Sequence, residues 1–311
     1  MDFVFFESLG IGFVVEFETG NLLRLGKMSR LTRIGKVQRS NPLNFLRVNQ
    51  AQSTLAIRTE ELVIRMIFDI KNYPITPGIA IKTKNKILDF ALFGETNVIT
   101  LSKSTLEVYR VKRNESVLKM FESESFSHSK QAPIKLCICP QNKYLLISYV
   151  NNMKEMRPCK LELLILKKSK KRNSVEIEKL GDLMLEHRPF AQVSNSPFLH
   201  LSLNFTSAPD SLLDENKGRE ILPMILAMQY GGSNTLIVYQ FNPGTLDSGR
   251  RRGEISPMSS NDLAVKGEFI EIKTVENYHN RTIGDMKVAN GEIWSIDWGG
   301  VIKKMMLISI T

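Results

Sequence analysis

At 311 residues the chain is long enough to bury one large core or two ordinary ones, and 42% hydrophobic with 24% charged residues is the balance of a soluble globular protein. That balance excludes a disordered or fibrous chain. The formal charge of +10 is concentrated in two tracts, KKSKKR (Lys167 to Arg172) and RRR (Arg250 to Arg252), and the near-neutral remainder excludes a broad basic face built along a phosphate backbone.

The N-terminal run MDFVFFESLGIGFVVEF lacks a basic n-region and holds Glu7 and Glu16, so it reads as a strand and not as a signal peptide. No apolar stretch approaches the roughly 20 residues of a membrane helix, and no span is expected. From there the chain repeats one pattern six times: a first apolar strand, a turn, a second strand, a short turn and a third strand of alternating character. The first strands lie in FVFFESLG, LNFLRVNQAQ, ILDFALFGET, IKLCICPQNK, FLHLSLNF and IGDMKVANG. The third strands read NLLRLGKM, ELVIRMIFDI, TLEVYRVK, KLELLILKK, TLIVYQF and VIKKMMLI. Fourth strands are expected in IGKVQ, GIAIKT, SVLKMFES, VEIEKLGDLML and EFIEIKTV.

Counted from Phe3, Asn44, Lys86, Pro133, Pro197 and Thr282, the units are spaced by 41, 42, 47, 64 and 85 residues. The first three spacings match the roughly 40 to 45 residues of a four-stranded propeller blade, and the longer ones require insertions. Loop insertions are expected near 167–175, 206–220 and 242–265, where Gly, Pro, Ser and charge collect. Helical periodicity is nearly absent; the best helix candidate, Leu213 to Met228, is interrupted by Pro223.

With IFDI, VYRV and VYQF ending third strands, and the strand-turn-strand cadence of GETNVITLSKSTLEVYRV, the chain resembles the WD-repeat family. The resemblance implies an all-β chain, residues 1–311 forming a single β-propeller of six or seven four-stranded blades, in a closed or an open ring. No unit carries the family's Gly-His pair, and no third strand ends in Trp-Asp; Asp297-Trp298 is reversed and lies on a second strand. Because the sequence ends just after a third strand, that edge needs covering: either Met1 to Phe6 closes the ring as a fourth strand, or a partner supplies strands.

Chemistry is sparse. The four histidines, His128, His187, His200 and His279, fall in different units without metal or triad spacing, and His200, between Leu199 and Leu201, reads as a partly buried structural imidazole. Cys137, Cys139 and Cys159 are too few and too odd for a disulfide framework, so they read as buried thiols in an intracellular protein, nuclear or cytoplasmic. Asp285, Glu292 and Asp297 are weighed as a cation cluster and set aside as strand-end acids. Trp294 and Trp298, four apart and so on one face of a regular strand, are read as buried between blades, with an exposed interaction hot spot as the alternative.

No catalytic residue, metal or cofactor is therefore expected, and the chain is read as a non-enzyme. The candidate interaction residues are the cations of the two tracts: Lys167, Lys168, Lys170, Lys171 and Arg172, with Arg250, Arg251 and Arg252. The expected function is a scaffold or adaptor subunit of a multiprotein complex; the alternative is an RNA-associated propeller using these basic loops as contacts to RNA or to an acidic protein.

Overall fold

Runs of Val, Ile, Leu, Phe and Tyr interrupted by Gly, Asn, Ser and Thr at the turns dictate short antiparallel strands, and strands are what the chain forms. A computed structural model describes residues 2–6, 9–16, 19–26, 31–37, 46–49, 54–68, 70, 78–94, 96–112, 116–123, 131–139, 143–151, 158–169, 174–185, 199–205, 224–230, 235–242, 267–281, 283–289, 292–297 and 299–306. These group into two compact units, Met1–Leu136 with Lys168–Glu176, and Cys137–Lys167 with Ile177–Thr311.

The first unit holds three four-stranded sheets in chain order. They are β1 (Asp2–Phe6) to β4 (Leu31–Lys36) through β2 (Ile11–Val15) and β3 (Asn21–Leu25); then β5 (Leu46–Asn49), β6 (Thr54–Glu60), β7 (Val63–Ile67) and β8 (Ile79–Lys82); then β9 (Asp89–Phe93), β10 (Asn97–Leu101), β11 (Leu106–Val111) and β12 (Val117–Glu122). First strands of successive sheets lie side by side, β1 on β5 and β5 on β9. This places each meander as a blade with its first strand innermost, the arrangement of a β-propeller.

Blades pack face to face because their strands are apolar on both faces near the middle of each sheet. The ring of Phe6 stands edge-on to Phe13, centroids 6.1 Å apart, and with Val15 and Leu22 they meet Leu46, Leu55 and Ile57 of the next blade. Ala56, Ile64 and Met66 then meet Phe90, Val98 and Tyr109. Each large apolar side chain taken out of water in this way contributes on the order of 1.5 to 3 kcal/mol.

A fourth sheet comprises β13 (Ala132–Ile138), β14 (Tyr144–Val150), β15 (Pro158–Ser169) and β16 (Ser174–Met184). The second unit continues with β17 (Leu199–Phe205), β18 (Met224–Tyr230), β19 (Leu236–Asn242) and β20 (Glu268–Val275), then with β21 (Ile283–Ala289), β22 (Glu292–Asp297) and β23 (Ile302–Met306). Here β17 lies beside β21, and Ala227, Leu236 and Val238 pack on Ile283, Met286, Val288 and Ile293.

The chain is thus all-β and propeller-like, with six antiparallel sheets among the described residues, five of four strands and one of three. Two readings of the sequence change. Asp2–Phe6 does not serve as a closing fourth strand: it is the first strand of its own sheet, paired from Asp2↔Val15 to Phe6↔Ile11. Met224 to Met228, which the repeat pattern makes part of a second strand, lies on β18, because its apolar run pairs with β17 on one side and β19 on the other. Strand β15 reaches Ser169 and β16 begins at Ser174, so Lys167 and Lys168 are strand residues and only 170–173 lie between. Residues 206–223 and 243–266, which contain nearly all of the other two expected insertions, lie outside the described residues. No helix among the described residues is long and apolar enough to cross a membrane.

Candidate functional site

Of the basic-tract residues, the structure describes the surroundings of Lys167 alone. Its ammonium donates to the carboxylate of Glu178 across the β15–β16 pair, so it is an ion-paired strand residue and not a loop cation. Lys168 is placed on β15. Lys170, Lys171, Arg172, Arg250, Arg251 and Arg252 lie outside the described residues, as do His128, His187 and Trp298.

Four clusters of described polar side chains combine a titratable group with a buried one, and of their members the sequence points only to His279 and Asp297. The first is Asp89, the fully buried acid at the start of β9. It accepts from Arg47 Nη2 at 2.7 Å, from the Phe90 amide at 2.9 Å and from the Leu136 amide at 2.9 Å. Arg47 in turn donates to the carbonyls of Phe90 (3.0 Å) and Leu46 (2.7 Å), with its guanidinium 5.3 Å from the centre of the Phe90 ring. One ion pair thereby ties β5, β9 and β13 together. Buried charges persist only when paired in this way.

The second is Glu107, buried on β11, which accepts from Tyr109 Oη at 2.9 Å and from Lys119 Nζ at 2.5 Å, while Lys119 also donates to Glu122 at 2.9 Å. Burial, reinforced by the Glu107 carboxylate, pushes the Tyr109 phenol far above its ordinary range. Burial opposes the charge of Lys119, yet the two carboxylates hold it protonated more firmly than a free lysine. The third, Tyr149 with Glu162 and Lys160, repeats the chemistry: Lys160 donates to Glu162 at 3.1 Å and lies 5.3 Å from the centre of the Tyr149 ring, and burial followed by Glu162 raises the phenol. The Tyr109 and Tyr149 phenols and the Lys119 ammonium, held in their protonated forms, are not general bases near neutral pH.

The fourth is a Ser-His-Asp line. His279, with no exposed surface, sits with Nδ1 3.2 Å from Asp297 Oδ2 and with Nε2 2.7 Å from Ser295 Oγ. Asp297 Oδ1 also accepts the amides of Gly299 and Val301, both at 2.9 Å, which closes the β22–β23 turn around Gly300 at φ 81°. All three side chains are buried, so the line has the connectivity of an acyl-transfer triad without access for a substrate, and its work is to hold the turn. Hydrogen bonds from the Val301 and Gly299 amides and from His279 keep the Asp297 carboxyl below its ordinary value of 3.8 against the opposing effect of burial.

Alternation along β22 separates Glu292 from Asp297. Asp297 and Ser295 face inward with Ile293, whereas Glu292, Trp294 and Ile296 share the opposite face. On that face the Trp294 indole donates to Glu292 at 3.0 Å, Lys304 donates to the same carboxylate at 2.5 Å, and the Lys304 ammonium lies 5.2 Å from the centre of the indole. Trp294 is 42% exposed, so its reading as a residue buried between blades is corrected. Ile296, Ile302 and Met306 stand on the same two strands, with Ile296 opposite Ile302 and Trp294 opposite Lys304. The other exposed large apolar residues among the described residues are Leu62, Leu118, Met184, Ile270 and, next to Ile302 in sequence, Val301. Ile296, Ile302 and Met306 form a patch around the pinned indole, the composition of an interaction surface.

None of the three cysteines is in a disulfide; Cys139 and Cys159 are buried and Cys137 is half-buried. Cys139 Sγ accepts the amides of Lys143 (3.4 Å) and Tyr144 (3.2 Å), and Cys159 Sγ donates to the Tyr149 carbonyl at 3.4 Å.

No protein-family model and no curated protein matches the sequence. Among solved structures the chain is similar to a streptogramin B lyase, at 11% identity over 98% of this chain and 78% of that one, with a TM-score of 0.49. It is also similar to Hsv2 of Kluyveromyces lactis, at 12% identity over 100% and 75%, TM-score 0.46. A third likeness is to a chain in a complex of Saccharomyces cerevisiae Dbp5 with Nup159 and Gle1, at 11% identity over 94% and 72%, TM-score 0.48. Such likenesses carry no activity or partner to this chain. The reading of the chain as a non-enzyme is nevertheless corrected, because its structural neighbours include a lyase.

Proposed function

We infer that the chain is a protein-interaction subunit, a divergent WD-repeat-like propeller acting as a scaffold or adaptor within a multiprotein assembly. The observation that carries this reading is the exposed face of the last sheet, where Trp294 is fixed by Glu292 and Lys304 among Ile296, Ile302 and Met306. An aromatic side chain held in one rotamer loses little freedom on binding, and burying it with its apolar neighbours supplies the central contribution of an interface. The buried His279–Asp297 pair supports the family likeness, since a hydrogen-bonded His-Asp network belongs to WD-repeat blades.

Gentle affinity purification of the tagged chain tests the reading. Stoichiometric partner chains are expected; a clean monomer without partners overturns it. Nothing among the described residues favours the RNA reading, because the one cation of the first tract whose surroundings are described is neutralised by Glu178.

A further inference from the structure

Basic residues also gather outside the two tracts. Lys82, Lys84 and Lys86 alternate along the segment that leads from β8 into β9, all three exposed, while Thr83 and Asn85 between them are held against the protein. The Thr83 and Ile87 amides donate to the carbonyls of Leu62 and Glu61, both at 2.9 Å, which fixes the segment on the β6–β7 turn. The Asn85 side-chain amide donates to Thr105 Oγ1 at 3.4 Å, which fixes it on the β10–β11 turn as well. Within that turn Lys103 is exposed, and Ser102 Oγ keeps the turn closed by accepting the amides of Ser104 and Thr105, at 3.2 and 2.8 Å. The lysines are therefore carried on anchored backbone.

Most of this charge is unspent. Lys86 is ion-paired with Glu61, but Lys82, Lys84 and Lys103 make no ion pair among the described residues. Glu122, the acid that senses Lys84, is bonded to Lys119 at 2.9 Å, and Lys84 is the least of the influences on it. In the same place Leu62, in the β6–β7 turn, is 43% exposed. Like charges gathered on neighbouring turns repel one another, and an anionic ligand relieves that repulsion.

We propose that this surface binds an extended acidic segment of another protein, one that sets Asp or Glu side chains along Lys82, Lys84 and Lys103 and an apolar side chain over Leu62. The type of cation and its neighbours select this ligand. Lysine ammoniums are point charges without the planar fork that grips phosphate oxygens in pairs, and no exposed aromatic ring stands beside them for bases to stack on, Trp294 being on another sheet. A flat anionic lipid surface would also meet Glu60 and Glu61 of the adjoining turn, whereas a single extended chain can follow the lysines and avoid these acids. The surface is separate from the Trp294 face and stands or falls independently of it.

Fluorescence anisotropy of a labelled synthetic peptide, glutamates flanking a central leucine, titrated with the full chain tests the proposal. Binding is expected at low salt, weakening steeply as salt rises. Lys82→Gln, Lys84→Gln and Lys103→Gln combined are expected to weaken it about tenfold. Lys36→Gln, Lys273→Gln and Lys287→Gln combined, at exposed positions elsewhere and removing the same charge, are expected to change it less than about twofold. In the unaltered chain the peptide is expected to protect Lys82, Lys84 and Lys103 from an amine-reactive acetylating ester, a readout that needs no variant.

No binding by the unaltered chain, equal weakening by the two triple variants, or acetylation of the three lysines that the peptide does not slow overturns the proposal. A uridine homopolymer and phosphatidylserine vesicles are titrated in parallel; if either loses binding with the first triple variant while the peptide does not, the surface serves that ligand and the proposal fails. None of these outcomes touches the partners recovered through the Trp294 face.

Discussion

Asp297 concentrates three tasks in one carboxylate: it takes two turn amides on one oxygen and faces His279 with the other, in a buried site. Its folded value lies below 3.8, so its contribution is fully present above that value and is lost as the pH falls below it toward the folded value. Acid titration of unfolding stability checks this, and Asp297→Asn is expected to flatten the acid limb. The same variant leaves His279 facing a weaker acceptor and loosens the β22–β23 turn, so lower stability is also expected at neutral pH, measured by urea unfolding. Gly20 is constrained differently: its φ is 70°, and an added Cβ would stand 2.5 Å from the Val37 carbonyl oxygen. Gly20→Ala is therefore expected to destabilise by about 2 kcal/mol, from left-handed strain and the clash together, again by urea unfolding.

Between elements, the Arg47–Asp89 pair is the most connected described polar tie, since it joins first strands that otherwise meet through apolar contact. Removing one partner of such a pair leaves the other uncompensated, so Asp89→Asn is expected to cost about 3 kcal/mol. A double-mutant cycle with Arg47→Met should return a coupling of about 1 kcal/mol or more; simple additivity would show that the two do not act together. Register between third and fourth strands is also shaped locally: shifts occur at Leu22/Leu23, Val108/Tyr109 and Val238/Tyr239. Such bulges raise local twist at the outer edge of a blade. The first has Gly35 on the facing strand, whereas the other two have no glycine among the paired residues at the shift, so nothing in the local sequence announces them.

For the whole molecule, the far-ultraviolet circular dichroism spectrum is expected to be that of sheet and turn without the helical double minimum; a helical spectrum would contradict the strand assignment of Met224–Tyr230 along with the rest. The order of strands is legible in the sequence because alternation has a period of two and turns have their own residues, so TLAIRTE and EFIEIKTV delimit β6 and β20 directly. The four-stranded meander also follows from local pattern, since each strand pairs only with its neighbours in sequence.

The site is not legible in the same way. Lys167 looks free in a basic run, yet Glu178 lies eleven residues away and meets it only through the β15–β16 pairing. Asp89 and His279 look like isolated polar residues, and their partners Arg47 and Ser295 come from other segments, 42 and 16 residues away. Trp294 looks like core, and the outward face of a three-stranded sheet leaves it exposed. Side chains a few residues apart suffice to choose which segments become strands and in what order, because alternation and turn chemistry act locally. Which charges are paired, and which apolar face stays open, depends on contacts between distant segments, and those exist only once the sheets have formed and packed.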